Sequence, residues 1–155
     1  MHKTKLIYGS LLVFWAGMVT GVSLLSAPIK FLVPDMSREL ELQLGSLTFR
    51  YFNYIEWLVF AVILLALILV LKSKQLKRTK LVLSLTVLLG LILVMDSFYL
   101  LPELHAYVAA LMDPQASVEG LDIGFYHRLY VLGDFSKVFL QLALLIGIST
   151  PQGEY

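Results

Sequence analysis

The chain has no cysteine and few charges. Without a thiol there can be no disulfide, no thiolate metal site and no thiol-based catalysis. Asp, Glu, Lys and Arg make up 15% of its 155 residues, against about 25% in a soluble domain, while 59% are hydrophobic. That composition excludes an ordinary soluble fold and points to a membrane protein. The chain also lacks a P-loop, a dinucleotide-binding fingerprint and a nucleophile elbow. It contains no internal repeat and no low-complexity tract. Its length allows one compact unit, residues 1–155.

What the chain does have is long apolar runs. Four of them, at 6–32, 48–71, 81–101 and 125–149, each reach the ~20 residues needed to cross a hydrocarbon core of ~30 Å. Lipid offers no partner to open backbone groups, so all four are expected to be helices. The fold class read from the sequence is therefore all-α, a polytopic four-helix membrane bundle. The first run reads as a retained span and not as a cleaved signal peptide. Its apolar stretch exceeds the usual h-region, and Pro28 follows the only candidate cleavage site, Ala27.

The connections divide by charge. Lys72, Lys74, Lys77, Arg78 and Lys80 lie between runs two and three, and Lys3 and Lys5 precede run one. The other two connections carry Asp35, Glu39, Glu41, Glu103, Asp113, Glu119 and Asp122. The positive-inside rule then places both termini and the 72–80 loop in the cytoplasm, in an inner-membrane protein. An even number of spans is needed for those three segments to share a side, which agrees with the count of four. The basic loop is a topology signal and needs no nucleic-acid partner. The lipid bilayer is the expected partner, with a membrane protein or a second copy as a further one.

The outer connections are expected to hold short interfacial helices. One is "DMSRELELQLG" (35–45), with Met36, Leu40 and Leu44 on a face. The other is "ELHAYVAALMD" (103–113), bounded by Pro102 and Pro114. Residues 114–124 read as loop. Aromatic residues at the outer ends of the runs, Phe49, Tyr51, Phe52, Tyr54, Trp57, Phe98, Tyr99, Phe125, Tyr126 and Tyr130, read for the most part as an interfacial belt. "GMVTG" (17–21) is a GxxxG pattern. It reads first as close packing within the chain, with dimerisation as the alternative.

Charges inside apolar runs are rare and mark interiors or functional sites. Here they are Lys30, Arg50, Glu56, Asp96, Asp134 and Lys137, with the amide of Asn53 beside them. Arg50 stands at the headgroups or just below. Counting ~1.5 Å per residue from the outer edges puts Asp96 ~8 Å, Glu56 ~10 Å, Asp134 ~13 Å and Lys137 ~18 Å deep. Helical side chains lean toward their own N-terminus, so these groups are expected to converge on one layer of the outer leaflet. His127, Tyr130, Asp134, Lys137 and Gln141 form one stripe along the fourth run.

With three cations and three carboxylates the set is expected to balance. It reads either as a closed lock of ion pairs or as a pocket for a small polar ligand, ion or lipid headgroup, with a part in a transport assembly as one use of such a pocket. The pocket set is Lys30, Arg50, Asn53, Glu56, Asp96, His127, Tyr130, Asp134 and Lys137. A paired-carboxylate acid/base site, Glu56 with Asp96 or Asp134, makes an enzyme the third reading. His105 and His127 have no HxxxH or ExxH companion, so no metal, haem or other cofactor is expected.

These residues also carry a family resemblance. "WAG" (15–17), "AP" (27–28), Phe49, Phe52, Glu56, "LP" (101–102), His127, Tyr130 and Lys137 resemble a family of small four-helix bacterial membrane proteins with longer animal relatives. The likeness covers most of the chain through short motifs. Asp134 departs from it, where Glu or a small residue is as readily expected. The resemblance implies a shared fold and a membrane location, and no established activity.

The cysteine-free background allows a direct test of orientation. A single cysteine introduced into the 72–80 loop should react with an impermeant maleimide only after cells are permeabilised. Labelling of intact cells would reverse the topology.

Overall fold

The computed structural model describes residues 3–73, 76, 78–113 and 122–149. Four long helices account for nearly all of them: α1 Lys3–Ile29, α2 Arg38–Lys72, α3 Thr79–Met112 and α4 Ile123–Ser149. Each is long and apolar enough to cross a membrane. The fold is an all-α four-helix bundle, and its apolar helices fit an integral membrane protein. The expected loop residues 114–121, and Lys74 and Lys77 of the basic connection, lie outside the described residues.

Neither outer connection forms a separate helix. Residues from Arg38 onward run without interruption into the second span. Ser37 caps the start by accepting a hydrogen bond from the Leu40 amide at 3.3 Å. The link before it reverses direction through a 3₁₀ turn at Lys30–Leu32 and a left-handed Asp35 with φ 62°, a conformation Asp tolerates better than most residues. The weakest helix former between Ser37 and Phe49 is Gly45, at a cost of ~1 kcal/mol, too little to stop the helix. The face also differs from expectation. Leu40 and Leu44 point outward, while Glu41, Gly45 and Phe49 are buried.

The same holds on α3. Helical backbone continues through Pro102 to Met112, with a π-helical stretch at Asp96–Leu100 just before it. A proline lacks an N–H and crowds the carbonyl four residues back. The widened turn before Pro102 shifts the hydrogen-bond register where the proline would otherwise break it. A second π-helical stretch spans Thr20–Ser26 of α1. At ~1.5 Å per residue, α2 is ~50 Å long and reaches well past a ~30 Å core.

Each helix packs on two neighbours, so the ring order is α1–α2–α3–α4, with α1 opposite α3 and α2 opposite α4. The half nearest Lys5 and Lys72 has an apolar core built on Leu12, Ile63, Leu67, Leu89 and Leu144. Phe60 packs between Trp15 (5.8 Å between ring centroids) and Trp57 (6.3 Å). Gly90 gives that ring its space, since a Cβ there would lie 2.9 Å from Phe60 Cζ. A smaller cluster at the other end joins Phe49, Leu100, Leu101 and Tyr130. Outward faces are apolar along their length, as at Leu58, Leu65, Val87, Phe139 and Ile146. Of the aromatic belt, Tyr51, Tyr54, Phe98, Tyr99 and Phe125 face out, whereas Phe49, Phe52 and Tyr130 are core.

The GxxxG pattern does not pack within the chain. A Cβ built on Gly17 or Gly21 would meet nothing within 4 Å. The helix faces that α1 presents to α2 and α4 are carried by Tyr8, Leu12, Trp15 and Val19, a 4-3-4 stripe that leaves Gly17 on the outside. The contrast with Gly90 is measurable by thermal unfolding in detergent. Gly90→Val should cost about 1–3 kcal/mol by overpacking against Phe60. Gly17→Ala should be neutral or stabilising by up to about 1 kcal/mol.

Candidate functional site

Position along the helices fixes what meets at the centre. On α4 the residues Tyr130, Asp134, Lys137 and Gln141 fall at spacings of four, three and four, and all four are buried. Asn53 and Glu56, three apart, share the buried face of α2. Asp96 opens the π-helical stretch of α3. α4 lies between α1 and α3 and opposite α2, so a long side chain on its inner face can reach across the bundle axis.

Lys137 makes that reach. Its Nζ lies 2.6 Å from Asp134 Oδ1 on its own helix, 2.8 Å from Glu56 Oε1 on α2 and 3.0 Å from Asp96 Oδ2 on α3. All four side chains are fully buried. The contact to Glu56 Oε1 has hydrogen-bond geometry, and those to Asp134 and Asp96 are ion pairs by distance. Glu56 Oε1 also accepts a hydrogen bond from Trp15 Nε1 at 3.1 Å, which brings in α1. One ammonium and one indole thus connect all four helices.

Two smaller features hold the cluster in place. Gly133 faces Asp96: a Cβ there would stand 3.0 Å from Asp96 Oδ1, so the missing side chain lets α3 present its carboxylate to α4. Trp57 Nε1 donates to Ser97 Oγ at 2.8 Å, and Ser97 in turn donates to the Leu93 carbonyl, fixing α2 against α3 one residue beyond Asp96.

The expected balance of three cations and three carboxylates does not occur. Arg50 is exposed, because it lies about 100° around α2 from Phe49. Lys30 is past the end of α1, half-buried, with its Nζ 5.3 Å from the Phe49 ring centroid and in the field of Glu41. Neither belongs to the buried cluster, which holds one cation and three carboxylates. Glu56 Oε2 and both oxygens of Asp96 and of Asp134 accept no hydrogen bond among the described residues, although one oxygen of each aspartate is ion-paired with Lys137. The Tyr130 hydroxyl, Asn53 Nδ2 and both amide atoms of Gln141 are likewise buried without a partner there.

A cavity of about 820 Å³ lies between the helices at the Lys30 end. Ser23 and Ala27 of α1, Gly45 and Phe49 of α2, Leu104 and His105 of α3, and His127, Tyr130 and Asp134 of α4 contribute to its walls. Lys30 lines it too. Ser46 and His105 are hydrogen-bonded to each other across α2 and α3 along the same wall. Asp134 is the one cluster member among the lining residues, so it connects the two features. Of the sequence-derived set, Lys30, His127, Tyr130 and Asp134 line the cavity. Glu56, Asp96 and Lys137 lie behind Asp134, Asn53 is buried beside them, and Arg50 joins neither.

Sequence reasoning overlooked Trp15 and Glu41. A usable signal for Trp15 existed, since a buried indole N–H seeks an acceptor and the neighbouring spans offered mainly carboxylates. No group of three His, Asp or Glu side chains among the described residues is placed to hold a metal ion.

Comparison of the chain with protein-family models, with curated proteins and with solved structures finds no match.

The cluster makes a stability prediction. Lys137→Met leaves the buried carboxyl groups of Glu56, Asp96 and Asp134 without their cation and should cost about 3–5 kcal/mol. Trp15→Phe removes one hydrogen bond to a charged group and should cost about 1.5–3 kcal/mol. Denaturant titration of the purified protein in detergent micelles reads both.

Proposed function

We propose that the cavity binds one small amphiphilic molecule, with its positively charged head beside Asp134 and its apolar body between Phe49, Leu104 and Tyr130. The observation that carries this reading is the position of Asp134, which lines the cavity and belongs to a cluster with more carboxylates than cations. The volume suits a drug-sized ligand, and mostly apolar walls with a few convergent polar groups are usual for such sites. Phe49 and Tyr130, whose ring centroids are 5.0 Å apart, supply aromatic surface near the acid, as cation recognition favours.

On this proposal the protein resides in the cytoplasmic membrane with both termini inside, and the cavity faces outward. The excess of Lys and Arg at the other end supports that orientation. A path to the inside would need a rearrangement or a partner, because the core between Ile63, Leu89 and Leu144 is closed and apolar. The resemblance to four-helix bacterial membrane proteins belongs to the same proposal. A second reading has its own observation. Lys137 is ion-paired with carboxylates from three helices, which suits a lock that fixes helix packing and nothing more.

Two probes of one shape separate these readings. Tetraphenylphosphonium and tetraphenylborate differ chiefly in the sign of their charge. Binding to the full chain in lipid nanodiscs would be measured against empty nanodiscs. The cation should bind saturably, Asp134→Asn should weaken it about tenfold, worth about 1.4 kcal/mol, and Val131→Trp, at a residue that lines the cavity, should block it by filling the space. Saturable binding of the borate instead would overturn the assignment of a cationic head. Absence of saturable binding by either would leave the lock.

A further inference from the structure

The charge count in the cluster goes beyond the question of what fills the cavity. One ammonium faces three carboxylates in a site with no exposure to solvent. Fully ionised, it would hold two negative charges in excess inside a membrane protein. Burying even one uncompensated charge is costly, and the cost grows where no water reaches. Some further positive charge must therefore reside there.

Its size is limited by the geometry. The centre of the three carboxylates, where a metal ion would sit, is occupied by Lys137 Nζ at 2.6–3.0 Å from an oxygen of each. What remains are the outer oxygens Glu56 Oε2, Asp96 Oδ1 and Asp134 Oδ2, each buried and without a hydrogen-bond partner among the described residues. A proton can sit on such an atom, and a larger cation would need several of them turned toward one point. A protonated carboxyl also becomes a donor and needs an acceptor. The Tyr130 hydroxyl, one turn before Asp134 on α4, is buried, unpartnered and within the electrostatic field of all three carboxylates. It lines the cavity beside Asp134.

The groups facing the cluster from each helix complete the count. From α1 there is only the Trp15 indole, which is neutral. Glu56 and the amide of Asn53 come from α2, and Asp96 comes from α3. α4 contributes Asp134, Lys137, Tyr130 and Gln141, with His127 farther out at the cavity. Lys30, in the field of Glu41, lines the cavity but not the cluster. No second buried cation among the described residues offsets the carboxylates.

We infer that the Glu56–Asp96–Asp134–Lys137 cluster is a proton-storage site, filled and emptied through the cavity by way of Asp134 and the Tyr130 hydroxyl. The neutral form is one ammonium, one carboxylate and two carboxylic acids, the protons belonging to the cluster as a unit and to no single residue. Release moves one proton from a carboxyl oxygen to a base or water in the cavity and leaves one added negative charge on the cluster. A cation arriving beside Asp134 would balance that charge. The store itself does not depend on such a ligand, so its test stands apart from the probe-binding experiment.

Infrared spectroscopy of the full chain in lipid nanodiscs, with no probe added, reads the protons directly. At neutral pH the protein should show a carboxylic-acid carbonyl band that shifts in D₂O and loses intensity as the pH is raised. Asp134→Asn, Asp96→Asn and Glu56→Gln should each alter that band, so failure of any one variant to fold leaves two others. Val131→Trp should slow its exchange with D₂O without changing its amplitude, because the cavity is the route. Absence of an acid band at neutral pH would overturn the inference. So would a band that all three carboxyl variants leave unchanged, or one that follows sodium concentration at fixed pH. Exchange unaffected by Val131→Trp would overturn the cavity route.

Discussion

One ammonium group sets the constraint around which this bundle is arranged. In lipid, burying apolar side chains between helices gives little net drive, since the hydrocarbon tails outside are as apolar as the core. Packing contacts and polar interactions must then decide how helices rotate and which neighbours they choose. Lys137 reaches carboxylates on its own helix and on two others, and Glu56 passes the connection to the fourth through Trp15. A rotation of any helix by one residue, about 100°, would take its member out of the centre. Gly133 follows from the same constraint, because a side chain there would press on Asp96.

The cluster also divides the molecule. Toward the Lys5 end the interior is an apolar core centred on Phe60 and the leucines around it. Toward the Lys30 end the helices enclose a cavity, with α2 and α3 extended beyond a membrane's thickness to form part of its walls. Asp134 lies at the junction, bonded to Lys137 on one side and lining the cavity on the other. Any change of charge in the cavity is therefore felt by the group that holds the helices together. That link joins the proposed binding of a cationic head to the proposed store of protons.

Much of this was legible in the sequence, for definite reasons. Four runs of ~20 apolar residues leave little freedom in a membrane, so number and type of elements followed from length alone. The depth count placed Glu56, Asp96, Asp134 and Lys137 in one layer because helical rise is constant, and they meet within 3.0 Å of the ammonium. Lys30 and Arg50 were drawn into the same set on depth, but depth says nothing about rotation. Arg50 lies off the buried face of α2, and Lys30 stands in the 3₁₀ turn after α1, where the α-helical period no longer sets its direction. Residues 35–45 and 103–113 read as separate helices because their apolar patterns are distinct from those of the spans and Pro102 is an ordinary boundary signal. Gly45 costs too little to end a helix begun at the Ser37 cap, and the π-helical turn before Pro102 accommodates the proline. The GxxxG pattern shows the same limit, since small residues allow close approach without saying which helix approaches.

The central claim is that Lys137 couples three carboxylates at once, and a set of double-mutant cycles tests it most directly. Unfolding free energies would be measured in one detergent for Lys137→Met paired in turn with Glu56→Gln, Asp96→Asn and Asp134→Asn. The account predicts an interaction energy within the usual contact range of about 0.5–3 kcal/mol for every pair, including those across helices. Additive effects for Glu56 or Asp96 would contradict it, since the bundle would then be held by packing and the ammonium would belong to α4 alone.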